Sequence, residues 1–528
     1  MIENISNKKI ANRYNELSIE KNFYIESAKE CCKYTLPTLL NFFVEGNKSW
    51  QKLKTTSQSI GARGVSNLAS KLLTAITPVD SPMFKLVIDD EVLKEELTNN
   101  NNVKLSEIDT ALTDYSQSIQ RAIKASGDYA QMFEVWQLLL VSGNVLIYDP
   151  DDNSNIRVYS LRDYVLKRDR SGQVIEIIVK ENISKDNLNK HILDKISAIN
   201  NSLPSNSNQK SYDLYTQVLK KGDCYHIQQE CAGVILEETK GIYPLEGCPY
   251  IPIRMYAGSG EDYSRSFVSN YLGDLKSIDV LCRGTVEGAL MATKHLYLVR
   301  PDGLTEIKDI EETENGGVIY GRSEDIGVMQ SGKSGDLRMV SEEASKIEKR
   351  LSQAFLLIEG GIRNAERVTK EEIKSIAKEL ETALGGVYSV MCHSFQIPYI
   401  KRKIWKLQRL GKIRPLNRKI IPIVVTGFEA LGLNGDKEKL LELLSLLKEI
   451  FGMSISNYID YDIVIKRLAN AIGIDLQGLI KDSNIVASEM NNIQKQDLMY
   501  RLLEKILPTI INKAENLQSV IDNMIGSR

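Results

Sequence analysis

Apolar residues recur at helical spacing in several long segments of the chain. From Ser59 to Ile76 they fall at i, i+3, i+4 and i+7, and Pro78 follows; they are Val65, Leu68, Ala69, Leu72 and Ile76. This pattern predicts an amphipathic helix that ends before the proline. Similar spacing predicts helices over residues 12–34 and 105–126.

Between Asn144 and Val179 the pattern changes to short runs of β-branched and aromatic residues separated by turn residues. Such runs are typical of strands, so this region is predicted to be a small β or α+β unit. Residues 85–88 predict a further strand, and strands resume from Tyr225 and Val234 to Ile253. Residues 182–210 are rich in Asn, Ser and Lys, which indicates a surface loop.

The second half of the chain is predicted to be mostly helical. Residues 262–298 read as one helix of about 37 residues, or ~55 Å at 1.5 Å per residue. A β segment containing 316–320 and 337–340 is expected next, and then a helix over 341–358. The pair Gly360-Gly361 interrupts this helix. A capping box at Thr369 predicts the start of another helix that runs to about Leu410. Within that helix, Gly385-Gly386 predicts a kink.

Composition narrows the class of protein. The 528 residues are 42% apolar and 26% charged, as in folded soluble proteins, and correspond to about three or four folding units. The longest apolar stretch, Val135 to Tyr148, contains Ser142, Gly143 and Asn144 and is too short to span a membrane. The N-terminus has no apolar signal region, so we expect the chain to stay in the cytoplasm where it is made.

The charges are almost balanced, with 67 Lys and Arg against 69 Asp and Glu and a net charge of -2. Any contact with nucleic acid must therefore be local. The seven cysteines include no C-x-x-C pair, which disfavours a disulfide framework or a zinc site, and we expect reduced thiols. No metal or cofactor is predicted.

Two segments resemble ligand motifs. Gly327 to Ser334 fits the phosphate loop G-x-x-x-x-G-K-[ST], in which Lys333 would reach phosphates and Ser334 would hold magnesium. The flanking Gly335-Asp336 is expected to prevent a helix from starting there, which disfavours nucleotide binding. The alternating oxygens of residues 149–155 resemble a calcium loop but lack its Gly and Glu, so a polar hairpin turn is favoured.

One strongly basic run lies between Lys401 and Lys419. It has no acidic residue and nine basic ones: Lys401, Arg402, Lys403, Lys406, Arg409, Lys412, Arg414, Arg418 and Lys419. Such a local excess suits contacts to phosphates without base reading. A solvated helix end, where cations complement the helix dipole, explains it equally well.

Several stretches resemble the portal, or head-to-tail connector, proteins of short-tailed, podovirus-type double-stranded DNA phages. They follow the order of that family from about residue 10 to 480: residues 61–72, 141–148, 248–255, 271–275, 366–373, 384–389 and 467–475. The resemblance is weak over about 305–336 and is not seen beyond about residue 483.

The resemblance implies an α+β, mainly helical fold with wing, stem, clip and crown, assembled as a twelvefold ring around a channel. It places the wing at 1–260 and 369–427, the stem helices at 261–298 and 341–358, the clip at 299–340, a tunnel loop at 359–368, the crown at 428–485 and a C-terminal helical tail at 486–528. On this assignment the phosphate-loop match falls in the clip.

The family resemblance also implies a function. The chain would be a non-enzymatic conduit through which double-stranded DNA is packaged and ejected, located at one capsid vertex of the virion. Its partners would be copies of itself, non-specific DNA, major capsid and scaffolding proteins, the large terminase, a tail adaptor and internal core proteins, with no membrane involved. The alternative is a packaging ATPase that uses Gly327 to Ser334.

The tunnel loop carries the residues expected to face DNA, and its two glycines would let the backbone leave the stem helix sharply. These residues are Gly360, Gly361, Ile362, Arg363, Asn364 and Arg367. The arginines would present weak positive rings to passing phosphates. They could instead pair with Glu359 and Glu366 and only hold the shape of the loop.

Overall fold

A computed structural model describes residues 9–40, 55–78, 83–88, 105–187, 211–256, 260–293, 296–302, 326–329, 334–357, 390–413, 422–425 and 442–447, with isolated positions elsewhere. Two compact units are present, one formed by residues 1–92 and 114–428 and the other by residues 93–113 and 429–528. The elements described below lie in the first unit, except that α3 begins in the second.

The chain is α+β, as predicted. The described helices are α1 (Ile10–Tyr34), α2 (Ile60–Ile76), α3 (Leu105–Ala125), α4 (Tyr129–Ser142), α5 (Leu272–Thr293), α6 (Ser334–Ala354) and α7 (Ile397–Arg409). The described strands are β1 (Lys85–Ile88), β2 (Asn144–Tyr148), β3 (Arg157–Ser160), β4 (Tyr164–Arg168), β5 (Val174–Ser184), β6 (Ser211–Lys221), β7 (Cys224–Cys231), β8 (Val234–Pro244), β9 (Tyr250–Arg254), β10 (Leu296–Val299), β11 (Ile326–Met329) and β12 (Pro422–Val425).

Antiparallel sheets form the centre of the first unit. Strands β4 to β8 make a five-stranded meander in chain order, and β3, β2 and β9 make a three-stranded sheet with β2 in the middle. Strands β10 and β11 form a two-stranded ribbon, and β1 pairs with β12. The predicted strands at 85–88 and over 144–179 are thus confirmed, whereas β6 and β12 were not predicted.

The meander is covered on both faces because its apolar residues alternate. Val165 and Ile178 lie beneath α1, where they join Ile10, Tyr14 and Leu17 in one cluster. The neighbouring residues point to the other face and pack with residues of the three-stranded sheet, among them Leu146 and Tyr250. The helix therefore lies on one side of the meander and the smaller sheet on the other.

Helix α2 confirms its predicted amphipathic pattern, since Val65, Leu68, Ala69, Leu72 and Ile76 are all fully buried. The apolar stretch from Val135 to Tyr148 divides into the end of α4 and strand β2. Gly143 ends α4 in the left-handed region, at φ 75°, and a Cβ on it would lie 2.4 Å from the Arg265 carbonyl oxygen. Only glycine fits this turn from helix to strand.

The predicted helix over 262–298 is wrong at both ends. Helix α5 starts at Leu272 and ends at Thr293, so it is ~33 Å long rather than ~55 Å. Hydrogen bonds to the sheets hold the preceding segment in a non-helical conformation: Asn144 and Ser264 bond each other twice, at 2.7 and 2.9 Å, and Asp262 accepts from the Arg168 N–H at 2.7 Å. Strand β10 follows α5 directly.

The predicted strand at 337–340 is also wrong, because these residues belong to α6, which begins at Ser334 rather than at 341. The semi-buried Val340 and Ala344 precede the buried Ile347 and Leu351 at helical spacing, so the apolar stripe starts one turn earlier than expected. Of the predicted strand at 316–320, the described positions 317, 318 and 320 are not in a strand.

Arg350 of α6 bonds Asp274, at the start of α5, at 2.9 Å, so the two helices pack antiparallel as a hairpin.

Before α7, Cys392–Gln396 form a π-helical turn within the predicted long helix. The predicted kink at 385–386 lies outside the described residues, as do most of the loop at 182–210 and the tunnel loop at 359–368. None of the helices in the described part is long and apolar enough to cross a membrane.

Candidate functional site

Three of the nine cations in the basic run are buried inside the first unit. Arg402 is 0% exposed, Lys403 4% and Lys406 7%. Arg402 and Lys403 are adjacent and Lys406 lies one turn further along α7, which places all three on the face that the helix turns toward the protein. Their charged groups do not reach the surface of the unit, which disfavours these three residues as contacts to DNA or to the capsid.

The buried cations meet aspartates from two distant segments. Asp128 precedes α4, and Asp149 and Asp151 lie in the loop between β2 and β3. Lys403 donates to Asp128 at 2.8 Å and to Asp149 at 3.1 Å, and Lys406 donates to Asp149 at 2.9 Å. We call the following seven residues the charge network: Asp128, Asp149, Asp151, Arg402, Lys403, Lys406 and the more exposed Arg409.

Arg402 is the most extensively bonded member of the charge network. Its guanidinium donates to the carbonyl oxygen of Gly247 at 2.8 Å, to that of Asp149 at 2.7 Å and to the Asp151 carboxylate at 2.6 Å. Three directions of donation suit the planar fork of an arginine better than a lysine. Arg402 therefore joins α7 to the β2–β3 loop and to the turn that precedes β9.

Trp405 covers the outer side of the network. Its ring lies 5.0 Å from the Arg402 guanidinium, 5.1 Å from that of Arg409 and 5.6 Å from the Tyr243 ring. A Cβ on Gly247 would lie 2.8 Å from this indole, so the turn approaches α7 closely there. Stacked arginines and aromatic rings of this kind stabilise a packed helix.

Electrostatics favours the charged form of Asp128 despite its burial. Burial alone would raise the pKa of this carboxyl, but the Lys403 ammonium and the Ile156 N–H outweigh that effect and hold the pKa below its usual value. Burial, with the adjacent Asp128 carboxylate, raises the pKa of Tyr399 well above its usual value. Tyr399 therefore stays neutral and donates its hydroxyl proton to Asp128 at 2.9 Å.

The remaining described cations of the run lie at the surface and pair with single acceptors. Lys401 bonds Glu246 at 2.7 Å, Arg409 bonds Asp151 at 3.2 Å, and Lys412 bonds Asn153 at 3.0 Å. Arg414, Arg418 and Lys419 lie outside the described residues, so their predicted role stays a prediction. Neither interpretation made from the sequence, phosphate contact or solvated helix end, included the buried network.

The segment at 149–155 is the hairpin turn that its sequence favoured over a calcium loop, because it connects the antiparallel strands β2 and β3. Two of its aspartates serve as counter-ions for α7. Within the described ranges, no group of three or more His, Cys, Asp or Glu side chains could hold a metal ion. The six cysteines in those ranges whose side chains are described are free thiols, as expected.

The phosphate-loop match has a context that its sequence did not predict. Strand β11 ends at Met329 and α6 begins at Ser334, so a strand does precede the segment and a helix does follow it. The expectation that no helix starts here is wrong. However, β11 pairs antiparallel with β10 in a two-stranded ribbon, rather than lying in the parallel sheet of phosphate-loop proteins. Lys333 lies outside the described residues.

The proposed tunnel-loop residues, from Gly360 to Arg367, also lie outside the described residues. Two features of the sequence could have revealed the charge network. Residues 401–419 carry basic side chains and no acidic one, and residues 149–155 carry acidic side chains and no basic one. Their sequence separation of about 250 residues gave no reason to join them, whereas the fold brings them within hydrogen-bond distance.

Portal proteins of several phages are similar to this chain over most of its length. The portal protein of Escherichia phage T7 is 33% identical over 474 residues, covering 88% of this chain and 87% of that protein. The portal protein of Enterobacteria phage T3 is 33% identical over 493 residues, covering 92% and 89%. That of Enterobacteria phage SP6 is 28% identical over 435 residues, covering 82% of each.

Among solved structures, a chain from the neck of an empty gene transfer agent particle matches at 12% identity, covering 69% of this chain and 88% of that chain, with a TM-score of 0.30. The family model described as bacteriophage head to tail connecting protein matches residues 7–480. The chain therefore belongs to the bacteriophage head-to-tail connecting protein family.

Proposed function

We propose that this chain is a portal protein: copies of it form a ring at one vertex of a phage head, and double-stranded DNA passes through the ring during packaging and ejection. The observation that carries this proposal is membership of the connecting-protein family over residues 7–480. The portal-protein relatives cover most of the chain, which excludes a match confined to one module.

The surface of the α5–α6 hairpin supports assembly. Its exposed apolar side chains include Val280 at 66%, Leu290 at 60% and Met339 at 71% exposure. Apolar residues concentrated on one helical hairpin indicate a surface that another molecule covers. We assign α5 and α6 to the stem of the ring, and the sheets with α1, α2, α4 and α7 to the wing.

The remaining parts follow the family order. The ribbon of β10 and β11 would belong to the clip, residues 359–368 would form the tunnel loop, and 428–485 the crown, with a C-terminal tail beyond. DNA would meet the tunnel loop through Gly360, Gly361, Ile362, Arg363, Asn364 and Arg367. The surface cations Lys401, Arg409 and Lys412 remain available for contacts to phosphates or to the capsid.

A conduit needs weak, non-specific contacts, because strong phosphate binding at every register would stop the DNA from moving. The near-neutral net charge of -2 suits that requirement. Proposed partners are the capsid and scaffolding proteins, the large terminase, a tail adaptor and internal core proteins. The packaging-ATPase alternative has no support among the relatives, which are portal proteins.

Negative-stain electron microscopy of the purified chain tests the proposal directly. We expect rings with a central hole wide enough for duplex DNA. A well-folded monomer that persists at micromolar concentration in light scattering, with no rings at any salt concentration, would contradict it.

A further inference from the structure

Helix α1 exposes two large apolar side chains that the fold leaves uncovered. Ile19 is 72% and Phe23 69% exposed, and they lie one turn apart on the side of α1 that faces away from the meander. Glu26 and Glu30 continue the same side, with side chains 70% and 46% exposed. We call these four residues the outer face of α1.

The outer face of α1 continues into the stem. Glu30 forms an ion pair with Lys276 of α5. From Lys276, the exposed side of α5 runs through Val280, Gly284, Glu287 and Leu290 at helical spacing. The two helices thus present one strip that combines apolar and mostly acidic side chains.

The α6 edge of the hairpin also exposes apolar and charged side chains. Met339 is 71% exposed, and Arg338 and Lys346, with side chains 83% and 72% exposed, pair along the helix with Glu342 and Glu343. A closed ring is built from a head-to-tail contact, which needs two different and complementary surfaces on each copy. Because α5 and α6 pack side by side, their outward sides lie at opposite edges of the hairpin.

We propose that the outer face of α1 is the wing-level part of the contact between neighbouring copies, so that the next copy covers Ile19 and Phe23 as well as the α5 side of the stem. This inference rests on the proposed ring. The occupant is a second copy, because the face is continuous with the exposed apolar side of α5, which the proposed ring places in the contact between copies, and the same chain exposes a second apolar side chain, Met339, on α6.

The ion pairs on the face do not oppose this assignment. Glu26 pairs with Lys29 three residues away at 2.7 Å, and both side chains are largely exposed. Exposed pairs of this kind contribute little, about 0–1 kcal/mol, so they exchange partners readily when a neighbour arrives.

Matched substitutions test the proposal. Ile19→Glu and Phe23→Glu should each raise the concentration needed for half-maximal ring formation by about tenfold or more, because each places a charge in a buried apolar contact. Ile242→Glu is the control, since Ile242 is equally exposed, at 66%, but lies on β8 outside the face. It should assemble as the original chain does. Unchanged melting of the dilute chain will show that all three variants fold.

A chemical probe gives a second readout on assembled rings. Phe23→Cys should react with a maleimide about tenfold more slowly in rings than in the dilute chain, whereas Ser171→Cys, on the exposed β4–β5 turn, should react equally in both. Peptide mass spectrometry separates these sites from the native cysteines.

The outcomes distinguish the two proposals. Rings that assemble normally with Ile19→Glu and Phe23→Glu, and in which Phe23→Cys reacts freely, would overturn the α1 contact and leave the portal proposal standing. If the unsubstituted chain forms no rings, both proposals fail.

Discussion

Lys403 and Lys401 are two residues apart on α7 and have opposite environments. Lys403 is buried between two aspartates, whereas Lys401 makes one exposed pair with Glu246. A buried charge that loses its partner cannot be solvated, and an exposed one can. The same side-chain type therefore has very different effects on stability at the two positions.

Lys403→Met should lower the free energy of unfolding by about 3–5 kcal/mol, because it leaves Asp128 and Asp149 with less compensation in the interior. Lys401→Met should change it by no more than about 0.5 kcal/mol. Denaturant titration of the two variants provides the measurement. Equal effects would show that the network contributes no more than a surface pair.

Lys21 is another buried cation, but no carboxylate among the described residues bonds it. Its ammonium donates to the carbonyl oxygens of Arg162 at 3.0 Å and Tyr164 at 2.9 Å and lies 3.4 Å from the Tyr14 hydroxyl oxygen. Burial lowers its pKa to about 7; Asp163 opposes that shift, and Arg162 and Lys180 add to it. Below that pH, folding must bury a charge.

Because the pKa of Lys21 is lower in the folded than in the unfolded chain, the unfolded chain binds more protons between pH of about 7 and 10.5. The contribution of Lys21 to stability should therefore increase as the pH rises through this window, by at most about 1.4 kcal/mol per pH unit. Lys21→Met should remove that slope. Parallel stability curves for the original chain and the variant, measured by denaturation across this range, would argue against the shifted pKa.

At the residue scale, the sequence predicted what periodicity encodes and missed what depends on distant pairs. The buried stripe of α2 could be read from Val65 to Ile76 because helical spacing alone determines which side chains share a face. The burial of Arg402, Lys403 and Lys406 could not, because their partners lie about 250 residues earlier. A basic run looks identical in sequence whether it faces DNA or aspartates.

At the scale of elements, helix ends were harder to predict than helices. Helix α5 lost its expected first turns to hydrogen bonds between residues 262–264 and the two sheets. Helix α6 starts seven residues, or about two turns, earlier than expected, and its apolar stripe continues through Val340. Both errors arise because tertiary contacts compete with local pattern most effectively at an element's ends.

Close packing between α2 and the end of α6 gives a prediction at this scale. A Cβ on Gly64 would lie 2.6 Å from the Phe355 ring, whereas a Cβ on Gly273 of α5 would meet nothing within 4 Å. Gly64→Ala should lower the free energy of unfolding by about 1–3 kcal/mol through overpacking.

Gly273→Ala is the matched control and should be neutral or stabilising by up to about 1 kcal/mol, because alanine favours a helix more than glycine does. Thermal melts of the two variants decide between these expectations. If Gly64→Ala melts at or above the original temperature, Phe355 is not fixed against α2.

At the scale of the whole molecule, the family order assigned parts that local patterns could not. A two-stranded ribbon between two helices has no function evident from its sequence. Membership of the connecting-protein family gives it a place in the proposed clip. The proposal that this chain is a portal protein therefore depends on the order of elements along the chain, rather than on any one motif.

The proposed tunnel loop gives a prediction about DNA. Replacing Arg363 and Arg367 together with Ala should leave rings intact but impair completion of packaging or retention of DNA, because weak positive rings would no longer contact the phosphates. Packaged length and retained DNA in assembled particles are the measurements. Normal values for both would show that the arginines only hold the shape of the loop.

The phosphate-loop match should be without function. Lys333→Ala should leave packaging unchanged, and the purified chain should show no magnesium-dependent affinity for ATP, since the strand before the loop lies in a two-stranded ribbon. Equilibrium dialysis with labelled ATP measures this affinity. Micromolar binding that Lys333→Ala abolishes would restore the ATPase alternative.

The charge network can form only late in synthesis of the chain, because its aspartates are made long before its cations. Asp149 leaves the ribosome 257 residues before its partner Lys406, and at a rate of about 5–20 residues per second this interval lasts about 13–51 s. Until then, Asp128 and Asp149 lack the cations that their interior positions require. A prematurely terminated chain that ends before α7 therefore cannot complete the network, and in the proposed ring such a copy would lack the packing that α7 gives to a longer one.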